Sequence, residues 1–192
     1  VTDVRTPKLI VIASPSGGGK TSIIKALRER HPDFEFSVSA TTRTMRPGER
    51  DGKDYFYLGT EEFERLIREQ ELVEHEHFYG TYYGTLKREV DRALREGHSM
   101  IFDVDVKGAQ SIKRMYPDDT VQIFIAPPSI GVLEQRLRNR GTEDEEKLAR
   151  RLQRVPMEIE KGRTFDHIVV NDDLRRAIDE VDAIVNKNIH TI

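Results

Sequence analysis

The chain has no cysteine and no tryptophan, and aromatic residues make up only 7% of it. The lack of cysteine excludes disulfides and thiolate metal sites. No apolar run approaches the ~20 residues a helix needs to cross a bilayer, so no membrane association is expected. Neither sign of charge prevails: 31 Lys and Arg against 34 Asp and Glu leave a formal net charge of −3. A general nucleic-acid binder needs a net basic face, so that class is not expected either. No secretory leader is visible, and a cytoplasmic location is expected. The first residue is Val1 rather than methionine, which suggests a trimmed start. There is no internal repeat and no low-complexity tract. With 192 residues, 36% hydrophobic and 34% charged, the chain can bury one good core with small appended lobes under a wet surface.

What is present is organised around Lys8 to Ser22, KLIVIASPSGGGKTS. The apolar run Leu9 to Ala13 suits a central parallel strand buried on both faces. It meets a glycine-rich turn, and a helix-like segment follows, with Ile23, Ile24 and Leu27 on one side. This resembles a Walker A phosphate loop in its required context of strand, loop and helix. Gly17, Gly18 and Gly19 can adopt backbone angles that other residues resist, so successive N–H groups form a nest for phosphate oxygens. The helix that starts there favours the same anion. Lys20 can reach the β- and γ-phosphates, and the Thr21 hydroxyl is placed to ligate Mg2+. Ser14 stands where the first glycine is usual, a role serine can take if its φ is negative. The competing reading is a flexible glycine turn without a ligand.

The rest of the chain alternates strand and helix. Strands are expected over Phe34 to Ser39, around Leu72 to Glu74 and Phe78 to Gly84, and at Ser99 to Val104, Val121 to Ala126 and Phe165 to Val170. Helices are expected over Thr21 to Arg30, Glu61 to Glu69, Thr85 to Glu96, Gly108 to Met115, Ile130 to Asn139, Glu143 to Lys161 and Asp173 to Asn188. Such alternation predicts an α/β fold with a parallel sheet and right-handed crossovers, binding at the carboxyl ends of its strands. Ala40 to Tyr57 is too polar for a core and reads as the start of an inserted surface lobe.

Three groups of side chains can carry chemistry, and a fourth invites a metal reading. Arg43, Arg46 and Tyr55 can clamp a phosphate, because arginine presents a planar fork of donors; a solvated basic loop is the alternative. Asp103 and Asp105 stand two apart, facing the same way if the strand runs that far; carboxylates capping a strand end are the alternative. Arg136 and Arg140 lie one helical turn apart, with Arg151 on the next helix; a solvated helix face is the alternative, and the charge run Glu143 to Arg154 reads as such a surface. His75 and His77, in a loop-like setting without cysteine, fall short of a zinc set.

Eight stretches together resemble the guanylate kinase family, which phosphorylates GMP with ATP. They are SPSGGGKT from Ser14, FSVSATTRTMRPGE from Phe36, DGKDY from Asp51, YYGT from Tyr82, FDVDVKG from Phe102, IAPPS from Ile125, RGTEDEE from Arg140 and VNDD from Val170. They span nearly the whole chain in the family's order. The resemblance implies a P-loop NTPase-type parallel sheet flanked by helices, with an inserted GMP-binding lobe and a helical lid. It assigns the core to 1–38, 96–128 and 164–192, the lobe to 39–95 and the lid to 129–163.

The resemblance also implies residue roles. ATP would meet Ser14, Pro15, Ser16, Gly17, Gly18, Gly19, Lys20, Thr21 and Ser22, with Asn171 near the adenine. The GMP phosphate would be held by Arg43, Arg46, Tyr55 and Tyr83, with Glu49 beside them. The guanine would be read by Ser39, Glu74, Thr85 and Asp105, with Asp103 also at the GMP site. Mg2+ would accompany ATP, held by Thr21 and through water by Asp103. Catalysis would fall to Lys20, Arg43, Asp103, Arg136, Arg140 and Arg151. Guanine shows an acceptor at O6 and donors at N1 and the 2-amino group, so hydroxyls of Ser39 and Thr85 can donate to O6 and Glu74 can accept from the donors. Adenine reverses the pattern and leaves such a carboxylate badly paired. The family often has serine at Thr85, and threonine keeps the hydroxyl. The expected partners are ATP and GMP alone, with no nucleic acid and no membrane; a homodimer or larger homo-oligomer is compatible with the sequence. Two other readings stay open: a related P-loop small-molecule kinase, such as one for a ribosyl phosphate, and a non-catalytic guanylate-kinase-like interaction module.

Overall fold

A computed structural model describes residues 5–78, 80–139 and 145–190. At its centre is β1 (Leu9–Ala13), every residue of which is buried. It lies in a five-stranded parallel sheet, flanked by β7 (Met100–Asp103) and β8 (Thr120–Ala126), with β2 (Glu35–Phe36) and β9 (His167–Val170) at the edges. Successive side chains of a strand point to opposite faces, so β1 supplies two cores at once. Ile10 and Ile12 join Ile101, Ile123, Ile125, α1 (Lys20–Arg30) and α7 (Leu174–Ile189) on one face. Leu9, Val11 and Ala13 join Phe102, Phe124, α3 (Lys87–Glu96) and α4 (Val106–Met115) on the other. Strands buried on both sides read as continuous apolar runs, which is why this sheet was predictable.

A second, mixed sheet holds β3 (Ala40–Thr41), β4 (Phe56–Tyr57), β5 (Leu72–Phe78) and β6 (Thr81–Leu86), in the order β4-β3-β6-β5. Helix α2 (Thr60–Arg68) covers it and seats Phe63 and Leu66 against Ala40, Leu72 and Leu86. The helix expected from Thr85 begins two residues later. Thr85 and Leu86 complete β6 instead, where Thr85 opposes Glu74 and Leu86 opposes Leu72, because burying Leu86 in the lobe core outweighs early helix initiation. His75 and His77, expected in a loop, lie on β5, with the His77 ring 4.4 Å from that of Tyr82.

The third region pairs α5 (Ile130–Asn139) with α6 (Glu145–Gly162) around Leu133, Leu137, Leu148 and Val155. Helix α6 ends where Gly162 lies on the Phe124 ring; a Cβ there would stand 2.5 Å from three ring carbons. Glycine is thus what lets this helix close onto β8.

The lobe core is separate from the two cores of the parallel sheet. Phe63→Ala, in a fully buried site, should therefore destabilise the lobe by about 3–5 kcal/mol. Hydrogen exchange should show β5 and β6 amides losing protection while β1 and β8 keep theirs; equal loss in both sheets would mean one cooperative unit.

Candidate active site

The loop between β1 and α1 folds as its glycines require. Gly17 and Gly19 take φ +86 and +93, in the left-handed region. Among the described residues Gln70 is the one non-glycine with positive φ, so Ser14 has the negative φ needed to replace the customary glycine. A Cβ on Gly18 would stand 2.9 Å from that of Ser14. The first turn of α1 has no side-chain cap and no acidic residue, which leaves its N–H groups to an anion.

Asn171 holds this loop from behind. Its buried amide nitrogen donates to the Gly18 carbonyl at 2.8 Å, and its backbone N–H donates to Ala126 O at 2.8 Å. A Cβ on Gly19 would come within 2.2 Å of that amide nitrogen. The resemblance brought Asn171 to the adenine; its side chain is a brace for the phosphate loop, at the edge of a cavity of about 520 Å3 that Gly17, Arg136 and Leu174 also line.

Lys20 extends from the loop to the end of β7, where its ammonium lies 2.5 Å from Asp103 Oδ1 and donates to Val104 O at 2.9 Å. Asp103 is one-third exposed (34%), and Thr21 and Ser22 are exposed at the start of α1. The strand stops at Asp103, so Asp105 does not share its face. Asp105 caps α4 instead, accepting from Gly108 N at 2.8 Å. That leaves its second oxygen towards the cavity, 3.7 Å from Arg154.

Across the cleft the lobe presents a clamp. Arg43 gives one N–H from each Nη to Glu49, at 3.0 and 2.8 Å. Glu49 also accepts from Arg46 N and from the Tyr57 hydroxyl, both at 2.7 Å. The Arg43 hydrogen bond, followed by those of Arg46 and Tyr57, holds the Glu49 carboxyl down to about 2, while burial and then the Glu49 bond push the Tyr57 phenol up to about 12. Glu49, grouped with the GMP ligands by resemblance, is thus the brace of Arg43. Tyr55 lies under the Arg43 guanidinium, 5.2 Å from ring centre to Cζ, and edge-on to Tyr83 at 6.2 Å. Arg46 is exposed beside them. Tyr57 was missed, though alternation along a strand puts it on the same face as Tyr55.

Deeper in the lobe, Thr85 is buried and donates its hydroxyl to Glu74 Oε1 at 2.7 Å. Burial pushes the half-buried Glu74 carboxyl above the ordinary range; the Thr85 bond opposes this, and the charges of Asp105 and Glu76 add to it. Ser39, at the entry to β3, is half-buried.

From the other side come α5 and α6. Arg136 Nη2 donates to Asn171 O at 3.0 Å, and Arg151 Nη1 lies 3.4 Å from Ser16 Oγ. Arg140 lies outside the described residues. Arg151, Arg154 and Glu158 line a cavity of about 320 Å3 together with Ser14 to Thr21 and Asp105. The charge run that read as a solvated surface therefore has an inward face. Spacings of three and four from Arg151 to Arg154 to Glu158 were the overlooked signal. Arg150 turns away to Glu146.

A family model described as guanylate kinase matches residues 6–188. A guanylate kinase of Chlorobaculum tepidum is 49% identical over 174 residues, 91% of this chain and 89% of its own length. One from Symbiobacterium thermophilum is 46% identical over 177 residues, 92% of this chain and 83% of its own. The crystal structure of guanylate kinase from Anaplasma phagocytophilum aligns over 97% of this chain and 88% of its own, with a TM-score of 0.74 at 30% identity. A gluconokinase from Sinorhizobium meliloti, at 17% identity and a TM-score of 0.51, shares the fold alone.

The Asn171 brace is testable by stability. Asn171→Ala leaves the Gly18 carbonyl without its donor and should lower the unfolding free energy by about 1–3 kcal/mol, read from urea melts. Asn171→Asp, which sets a carboxylate against that carbonyl, should cost at least as much; wild-type stability in both would remove the brace.

Proposed function

The chain belongs to the guanylate kinase family, and from that membership we propose that it acts as an ATP:GMP phosphotransferase, moving the γ-phosphoryl group of ATP to GMP to give ADP and GDP. The observation that carries this reading is a pair of unlike subsites facing one cleft. One is the backbone cradle of Ser14 to Ser22, with Lys20. The other is the lobe, where the half-buried Glu74 is fixed by the Thr85 hydroxyl. A carboxylate held in place accepts from guanine N1 and the 2-amino group together. Thr85, having given its hydrogen to Glu74, serves as the brace, and Ser39 is the hydroxyl that donates to O6. Asp105 stands beside them at the start of α4. AMP offers no matching donors and leaves Glu74 with the Thr85 hydroxyl alone, its second oxygen unpaired.

Arg43, Arg46, Tyr55 and Tyr83 grip the GMP phosphate. Glu49 takes one hydrogen from each Nη of Arg43 and the Thr44 carbonyl takes another, which leaves Nε–H and one Nη2–H for phosphate oxygens. The reaction is a direct in-line displacement. The acceptor is already an anion, so no strong base is required, and catalysis is positioning plus charge neutralisation. Lys20, Arg43 and the lid residues Arg136, Arg140 and Arg151 supply the positive charge. Residues 39–95 act as the GMP-binding lobe and 129–163 as the lid on a core of 1–38, 96–128 and 164–192; their closure excludes water and suppresses ATP hydrolysis.

Magnesium fits the donor set. Thr21 offers a hydroxyl and Asp103 a partly exposed carboxylate, hard oxygen ligands of the kind Mg2+ prefers. Thr21 would hold the ion directly and Asp103 through water, and the ion would supply charge neutralisation at the β- and γ-oxygens. Among the described residues no helix is long and apolar enough to cross a membrane. We take the chain to work in the cytoplasm on these two nucleotides, without nucleic acid.

A coupled assay offering GMP, AMP, UMP and a ribose phosphate tests the reading. GMP should win by orders of magnitude; a ribose phosphate turned over faster would make the chain a different small-molecule kinase, and no turnover of any acceptor would favour an interaction module. Lys20→Ala should cut kcat about a hundredfold or more while circular dichroism stays unchanged. Glu74→Gln should weaken GMP about tenfold to a hundredfold and ATP far less, by calorimetry. Because the Glu74 carboxyl is raised, it takes its proton early as pH falls. GMP affinity should therefore decline on acidification before ordinary carboxylates titrate, and the Gln variant should show no such decline.

A further inference from the structure

Arg154 is an arginine that the scheme above leaves unused. It lies on α6 between Arg151 and Glu158, and all three face the cavity of about 320 Å3 at the phosphate loop. Its Nη2 stands 3.7 Å from Asp105 Oδ2, and its Nε 3.9 Å from Glu158 Oε1. Both separations exceed hydrogen-bond range, so charge rather than fixed bonds holds the guanidinium. Its side chain is 46% exposed, and shifting it by an ångström or two opens no core. Glu158 is the opposite case: it is 9% exposed, and its Oε2 finds no partner among the described residues. A buried carboxylate oxygen in that state calls for a donor; Arg154 lies beside it on the same helix, and the Lys20 charge acts on it as well.

The position matters more than the charge. Asp105 marks the acceptor side of the cleft, and Ser14 to Thr21 mark the donor side. A guanidinium between them stands where the γ-phosphoryl group must cross. We propose that Arg154 is a further catalytic residue, which on lid closure contacts the equatorial oxygens of the phosphoryl group in transfer, with Glu158 as the positioning residue that orients it. In that step a GMP phosphate oxygen forms its bond to Pγ while the bond from Pγ to the β–γ bridging oxygen breaks. The bridging oxygen leaves with ADP, and Arg154 exchanges neither proton nor electron. Its planar fork spans two oxygens at once, which lysine cannot do.

The proposal rests on the GMP kinase reading, and steady-state kinetics separate the two. At saturating ATP and GMP, R154A and R154M should lose about tenfold or more in kcat with the KM for GMP little changed, and R154K should recover part of the loss. R154M keeps the apolar stem and so guards against a folding defect. E158Q should lose less, and R154M with E158Q should be no worse than R154M alone, since Glu158 acts through Arg154. An unchanged kcat in R154M overturns the proposal, as does a loss confined to the KM for ATP, which would make Arg154 a docking contact of the lid. A wild-type chain that turns over no GMP overturns the functional reading, and the proposal falls with it.

Discussion

One buried asparagine ties the three working parts together. Asn171 donates its side-chain amide to the Gly18 carbonyl and its backbone N–H to Ala126 O, and its own carbonyl accepts from Arg136. Phosphate loop, parallel sheet and helix α5 therefore meet in a single residue that is 3% exposed. The contact also explains why Gly19 must be glycine, since a Cβ there would fall inside the van der Waals shell of the amide. A nest of N–H groups binds an anion well only if it is already in shape, because ordering a flexible loop would consume much of the gain.

The cores explain how so small a chain can hold two nucleotides and still release them. The lobe packs around Phe63 and Leu86, and the α5–α6 pair around Leu133 and Val155; neither cluster includes residues of the parallel sheet. The lobe meets the Leu9 cluster through Val73 and α3, and α6 meets it through Met157, Ile159 and Gly162, so a shift of either body turns about those contacts and leaves the cluster built on Ile10 intact. Hinge motion of this kind needs a few connecting residues to rotate and leaves packed interiors alone.

Much of this was legible in advance, and the exceptions share a cause. Leu9 to Ala13 and the glycines after it are local signals: a run buried on both faces and a turn that demands positive φ. The seating of Thr85 and Leu86 in β6 was not legible, because cross-strand pairing with Glu74 and Leu72 decides it, and that partner lies eleven or more residues away. Asp105 looked like a strand residue because its role as a cap depends on Gly108 turning back. Arg154 looked solvated because its face of α6 is polar, and only the fold shows that this polar face looks into a cavity. Tyr57 was hidden by its likeness to an ordinary strand aromatic; its hydroxyl matters only because Glu49 folds back to meet it.

The pattern of charges answers how a chain with a formal net charge of −3 can hold two polyanions. Three of the cations that face the cleft are set against carboxylates: Lys20 on Asp103, Arg43 on Glu49, Arg154 between Asp105 and Glu158. Bringing bare cations together would raise their mutual repulsion and strip water from each without compensation. A carboxylate beside each one offsets that cost in the folded chain and fixes the direction in which its remaining N–H groups point. When phosphate oxygens arrive they meet donors already oriented, so little reorganisation is left for the moment of transfer. The acids are therefore part of the anion site, and a chain whose charges nearly balance can still present oriented cations to its ligands.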